Sequence, residues 1–215
     1  MKIGILSFAH HHAEAYIHNL RSLPGVELLG VADEDAARGR RFAEAFATRF
    51  YPSFEALVEA KPDGVIITTA NNQHRPLVEM AATRGVNVLC EKPIATTLED
   101  ARLELQACEK GGVLFMTAFP MRFSPPLLEV KRRLDAGELG QVYCFNATNR
   151  VSCPPSTGTG LSIRSRLGVG PSWTTPSTWW ILCAGTSATR WVRSTHKPTG
   201  FSMRMKCRWR PALWK

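Results

Sequence analysis

Residues 151–215 of this 215-residue chain contain no aspartate and no glutamate. Ten Lys and Arg residues fall there, whereas residues 1–150 carry 17 against 18 acidic residues; the formal charge of +9 is thus a near-neutral body (−1) plus a basic tail (+10). Tryptophan is absent from the first 172 positions, and all six Trp residues (173, 179, 180, 191, 209, 214) lie in the same tail. A pI near 9.6 would ordinarily suggest a nucleic-acid partner. Confinement of the excess charge to one end indicates instead two unlike compositions joined near Arg150. No apolar run reaches the ~18 residues of a membrane-spanning helix, so no membrane association is expected. The six cysteines (90, 108, 144, 153, 183, 207) include no C-x-x-C pair, which argues against a zinc site or a disulfide framework. The N-terminus passes directly into a strand-like run without a small-residue cleavage site; no signal peptide and a cytoplasmic location are expected.

Over the body, strand-like and helix-like segments alternate. Strands are expected at residues 2–8, 27–32, 49–51, 64–67, 86–90 and 113–117, with helices at 13–23, up to about Phe46, 53–60, 75–83 and 97–110. Ala13, Tyr16, Ile17 and Leu20 share one face of the first helix, Thr96 or Thr97 caps the last, and Gly111-Gly112 ends it. This order is that of an α/β fold with a Rossmann-type doubly wound parallel sheet. A helix over 127–136 and a strand over 141–148 read as the start of an incomplete α/β second domain.

Two successive strands empty into polar loops at one sheet edge, where ligands bind in open α/β sheets. One stops at Thr68-Thr69-Ala70-Asn71-Asn72-Gln73-His74, the next at Glu91-Lys92-Pro93. Lys92, between a carboxylate and a proline, has a restricted backbone and a neighbouring charge. Its ammonium can be aimed at a substrate oxygen or used in proton transfer; a solvated loop lysine is the alternative. After the first strand, Ser7-Phe8-Ala9-His10-His11-His12 stands where a dinucleotide-binding fold has G-x-G-x-x-G, and every glycine is replaced. Ser7 and Ala9 are small enough for close backbone approach to a pyrophosphate, and the following helix N-terminus offers amides and a favourable dipole. One of the three histidines, assigned as His10, is expected to face the cofactor. Consecutive side chains diverge, so no metal site is expected. Asp33 ends the second strand, where a carboxylate accepts from the adenosine ribose hydroxyls and repels a 2′-phosphate, favouring NAD. Arg38, Arg40 and Arg41 keep NADP open, and Asp33 or Asp35 could instead cap the next helix.

The strand ending at Asp33, Thr69-x-Asn71-x-x-His74, Glu91-Lys92-Pro93, Met121-Arg122-Phe123-x-Pro125 and Gly137-Glu138-Leu139-Gly140 occur in order. With them, residues 1–150 resemble the Gfo/Idh/MocA family of NAD(P)-dependent oxidoreductases; Ser7-Phe8-Ala9 departs from its glycine pattern. The resemblance implies a Rossmann domain over 1–120, followed at 121–150 by the start of a C-terminal α/β domain whose large sheet often serves homo-oligomerisation. It implies NAD or NADP as cofactor and hydride transfer to or from a small sugar, cyclitol or related substrate. Lys92 would polarise the substrate hydroxyl or carbonyl. Cofactor contacts are expected at Ser7, Phe8, Ala9, His10, Asp33, Thr69, Asn71, His74, Glu91, Lys92 and Arg122, a solvated arginine being the other reading of Arg122. The family adds an Asp and a His, spaced D-x-x-x-H after a G-G-G-A-L-x-D segment, which this chain lacks.

That segment is recoverable from residues 151–215 if they are written from codons displaced by one base. Trp173-Thr174 then forces Asp, Trp179-Trp180 Val, and Trp180-Ile181 a second Asp. Ser177-Thr178 permits His, and residues 167–173 permit Gly-Gly-Gly-Ala-Leu-Met. The displaced reading, Gly-Gly-Gly-Ala-Leu-Met-Asp-x-x-x-His-x-Val-Asp, accounts for a basic, tryptophan-rich tail, expected to be disordered. Truncation of the family pattern and a tail that stacks on and neutralises nucleic acid are alternatives. The tail shows neither helical nor strand periodicity, which disfavours nucleic acid. With catalytic groups missing and the second sheet incomplete, this chain is expected to be an impaired, aggregation-prone enzyme or a dinucleotide-binding remnant.

Overall fold

The structure, a computed structural model, describes residues 1–143. Residues 1–118 belong to one compact unit and residues 119–143 to another. The first consists of β1 (Lys2–Leu6), α1 (His12–Ser22), β2 (Glu27–Ala32), α2 (Ala36–Ala45), β3 (Phe50–Tyr51), α3 (Phe54–Glu59), β4 (Gly64–Ile67), α4 (His74–Thr83), β5 (Asn87–Glu91), α5 (Leu98–Gly111) and β6 (Phe115–Ala118). The six strands form an all-parallel sheet in the order β3-β2-β1-β4-β5-β6. This is the doubly wound α/β fold that strand–helix alternation implies.

Alternation of side chains along each strand divides the interior into two layers. Leu6, Val65, Ile67, Val88 and Cys90 pack with Leu57, Val78 and Ala81 of α3 and α4. Ile3, Ile5, Val31 and Ile66 pack with Ala13, Ile17 and Ala43 of α1 and α2. All four residues of β4 are buried, as expected of a central parallel strand covered on both faces. Helix starts follow local chemistry: Asp35, Ser53 and Thr97 accept amide hydrogen bonds at the first turns of α2, α3 and α5. Gly112, in the left-handed region at φ 62°, ends α5. Gly111 lies so close to α4 that a Cβ there would collide with the Ala82 carbonyl oxygen.

The first strand, expected over residues 2–8, stops at Leu6 because Ser7 takes φ 81° and turns the chain out of the sheet. The sixth begins two residues later than expected, at Phe115. In the second unit a 3-10 turn (Pro120–Phe123) precedes α6 (Pro125–Asp135), which starts two residues earlier than expected because proline is tolerated in a first helical turn. Residues 141–143 are not in a strand, and the remainder of the strand expected to residue 148 lies outside the described residues, as does the whole tail. Among the described residues no helix is long and apolar enough to cross a membrane.

Candidate functional site

Strand order reverses direction between β1 and β4, which are neighbours although β2 and β3 intervene in sequence. In doubly wound sheets a ligand crevice lies at such a switch point, between the loops that follow the two strands. Thr68 ties its two walls together. Its Oγ1 donates to the Ser7 carbonyl at 2.6 Å, and its carbonyl accepts the His10 amide at 3.0 Å.

The turn after β1 spends most of its amides internally. Ser7 N–H donates to Ala32 O, Phe8 N–H to Asp33 Oδ2 at 2.7 Å, and Ala9 N–H to Ser7 Oγ at 3.0 Å. The amides of His10, His12 and Ala13 are also engaged. In place of a glycine turn with open amides, the chain offers a side-chain-rich one. The Phe8 ring is buried and stacks on Phe42 with centroids 4.2 Å apart, so Phe8 packs the core and does not face the crevice.

Asp33 is buried and already accepts four hydrogen bonds: Phe8 N–H and Arg38 Nε on Oδ2, Asp35 N–H and Arg38 Nη2 on Oδ1. A carboxylate has about four acceptor positions, so a ribose hydroxyl must displace one of these donors. Arg38, the partly exposed member, is the one able to move. The helix-cap alternative falls to Asp35, not Asp33. Arg40 and Arg41 lie over the rings of Phe50 and Phe42.

At the end of β5, Glu91 is 1% exposed yet ionised. Burial opposes its charge, but hydrogen bonds from His12 Nδ1 and Tyr16 Oη, each 2.7 Å from Oε1, hold its pKa at about 2. Its other oxygen accepts the Lys92 amide at 3.0 Å, pinning the backbone that carries the lysine. From the other side, His74 Nδ1–H donates to the carbonyls of Pro93 (3.0 Å) and Ile94 (3.2 Å). His74 is fully buried, and burial lowers its pKa, so the imidazole is neutral. Its Nε2 and the Thr69 hydroxyl find no partner among the described residues, leaving two buried polar atoms beyond β4. Asn71 is also buried in that loop. Lys92 itself is partly exposed and forms no ion pair among the described residues. Burial, opposed by the Glu91 carboxylate, pushes the His10 pKa down to about 3, so its imidazole is neutral.

Ser7, Ala9, His10, Glu91 and Lys92, expected from the sequence, are thus linked through His12 and Thr68 around the crevice. Arg122 is exposed in the second unit. His12 and Tyr16 as anchors of Glu91, and Thr68 as the strut between strands, are additions made by the structure. The one sequence signal for the anchors is their i, i+4 spacing, with polar tips, on the face of α1 turned towards the sheet.

A family model described as "Oxidoreductase family, NAD-binding Rossmann fold" matches residues 3–119. D-apiose dehydrogenase of Paraburkholderia graminis is 38% identical over 143 residues, covering 66% of this chain and 37% of that protein. The scyllo-inositol 2-dehydrogenase (NAD(+)) of Bacillus subtilis is 29% identical over 157 residues, 72% of this chain and 45% of that protein. Among solved structures, an oxidoreductase from Agrobacterium radiobacter in complex with NAD+, L-tartaric acid and magnesium superimposes with a TM-score of 0.65 at 28% identity, covering 69% of this chain and 44% of that one. The chain spans less than half the length of these relatives.

Proposed function

The chain belongs to the Gfo/Idh/MocA oxidoreductase family, and we propose that residues 1–120 are the dinucleotide-binding domain of an NAD(P)-dependent dehydrogenase. Its substrate is a sugar, cyclitol or related hydroxyl or carbonyl compound, a class supported by the apiose and inositol dehydrogenases among its relatives. The reading rests on the seating of Lys92, whose backbone is pinned by Glu91 on one side and by the His74-held turn on the other.

The residues present suit a dinucleotide. Thr69 Oγ1 and His74 Nε2 have no hydrogen-bond partner among the described residues, and Arg38 and Asp33 meet at the end of β2. Ala9 and His10 would hold the pyrophosphate, Asp33 and Arg38 the ribose, and Thr69, Asn71 and His74 the nicotinamide half; Arg122 is retained on family resemblance alone. The bound cofactor supplies the hydride acceptor or donor. Lys92 Nζ donates a hydrogen bond to the substrate oxygen. It would stabilise negative charge developing on that oxygen; the base that takes the hydroxyl proton in oxidation falls to the D-x-x-x-H segment of the family pattern, which the written chain lacks. Glu91 holds the backbone amide of Lys92 and is too enclosed to exchange protons with a substrate.

Residues 121–150 are proposed as the start of the substrate and oligomerisation domain, and 151–215 as out-of-frame sequence. A dinucleotide-binding remnant without turnover is the second reading, favoured by the absence of the D-x-x-x-H segment from the written chain. Fluorescence titration with NADH, on this chain and on one with the displaced frame restored, separates them. Binding by both with turnover in the restored form alone supports the dehydrogenase reading and the frame displacement. Binding without turnover in either favours the remnant, and binding by neither defeats both.

A further inference from the structure

We propose that His10, His11 and His12 form a site for a borderline divalent transition-metal ion, zinc being the reference case, with Glu91 as the carboxylate that orients one ligand. Helical geometry would send three consecutive side chains apart, but here they converge. His10 precedes α1 and folds back over it, its Nδ1 accepting the His12 amide at 3.3 Å. The His10 ring stacks on His11 at 4.6 Å between centroids, and His12 meets both edge-on at 4.4 Å. One ring nitrogen from each lies within 4.8 Å of those of the other two. Binding at the ~2.0–2.1 Å zinc–nitrogen distance requires the three rings to close further around the ion.

The donor atoms are chemically defined at two of the three positions. His12 Nδ1 lies 2.7 Å from Glu91 Oε1; donation of Nδ1–H to that carboxyl oxygen fixes the tautomer and leaves Nε2 with a lone pair. A carboxylate behind a ligating imidazole raises its basicity and locks its orientation. Glu91 is itself held by Tyr16 Oη at 2.7 Å and by the Lys92 amide at 3.0 Å, so the support is rigid before an ion arrives. His10 offers the Nδ1 lone pair, spent in the free turn on the long contact from His12 N–H. The Lys92 ammonium opposes a cation here, and the Glu91 carboxylate offsets it. Three nitrogen ligands leave a fourth position for water or an anion. In a turn whose amides are largely engaged, the ion would supply positive charge that the glycine-free backbone does not. The proposal does not depend on dinucleotide binding.

Competition with a chromophoric chelator measures Zn2+ affinity for the 215-residue chain, and Co2+ substitution reports the ligand set. We expect one ion per chain, with affinity falling at least ~100-fold in the His10→Ala, His11→Ala, His12→Ala triple variant and ~10–100-fold in Glu91→Gln. His11→Ala, at an exposed position that leaves the Glu91 contacts intact, should weaken binding while preserving the thermal melt. His18→Ala, on α1 but against Phe46, should bind as the unaltered chain does. Co2+ should give the visible bands of a four-coordinate nitrogen site. Unchanged affinity in the triple variant, equal loss in His18→Ala, or a near-ultraviolet thiolate-to-metal band placing the ion on cysteine would each overturn the site.

Discussion

At the residue scale, buried charge separates into two kinds. Glu91 is enclosed and satisfied, whereas Glu104 on α5 is fully buried and neither carboxylate oxygen finds a partner among the described residues. Burial, followed by the negative fields of Asp100 and Glu79, raises the Glu104 pKa to about 8. An unfolded glutamate ionises near 4.5, so between about 4.5 and 8 the folded state holds a proton that the unfolded state has lost. Stability therefore falls as pH rises through that window. We expect Glu104→Gln to flatten this slope in chemical unfolding followed at several pH values, and Glu104→Met to raise stability by about 1–3 kcal/mol near neutral pH by removing the unpaired polar group. A slope unchanged in Glu104→Gln would assign the pH dependence to another group.

A second residue-scale prediction concerns cofactor choice. Asp33 and Arg38 neutralise one another, so the carboxylate is a weaker barrier to a 2′-phosphate than an unpaired one. Arg38→Ala frees two acceptor positions and removes the cation. We expect NADPH affinity to fall by about tenfold or more, with NADH affinity held or improved, on the scale of a charge-assisted hydrogen bond. Equal changes for both cofactors would mean that Arg38 only braces the strand end.

At the element scale, α4 and α5 meet across a gap that Gly111 makes possible, and the Arg75–Asp100 ion pair at 2.9 Å joins them at the surface. Gly111→Ala would push its methyl into backbone, which cannot rotate away. We expect a loss of about 1–3 kcal/mol in urea unfolding. Neutralising this partly exposed pair by Asp100→Asn should cost about 1 kcal/mol or less. The end of β5 makes a different demand. There Lys92→Met should leave NADH binding within about threefold but lower turnover of the frame-restored protein by about 10²–10⁴-fold. His74→Ala loosens the turn behind Lys92 and should reduce turnover more than NADH affinity. If both variants lose binding and turnover in parallel, Lys92 serves the cofactor rather than the substrate oxygen.

At the scale of the whole molecule, the chain joins a complete six-stranded parallel sheet to residues of unlike composition beyond Arg150. On the proposed frame displacement, the restored frame supplies the Asp and His that the written chain lacks. Sequencing the gene tests this directly, since a single intact frame with no family segment in the displaced one would remove the premise. Strand and helix order, the cap at Thr97 and the placement of Lys92 just beyond a strand end were legible beforehand. They depend on local periodicity, capping chemistry and strand ends, which act over a few residues. What only the tertiary structure decided lies across the sheet. Glu91 is anchored by His12 and Tyr16 on α1, 79 and 75 residues away; Asp33 is saturated by Phe8 and Arg38, and three adjacent histidines converge. Such pairings arise when parallel strands bring distant loops to one edge, and burial there forces polar groups to find partners that no local pattern records.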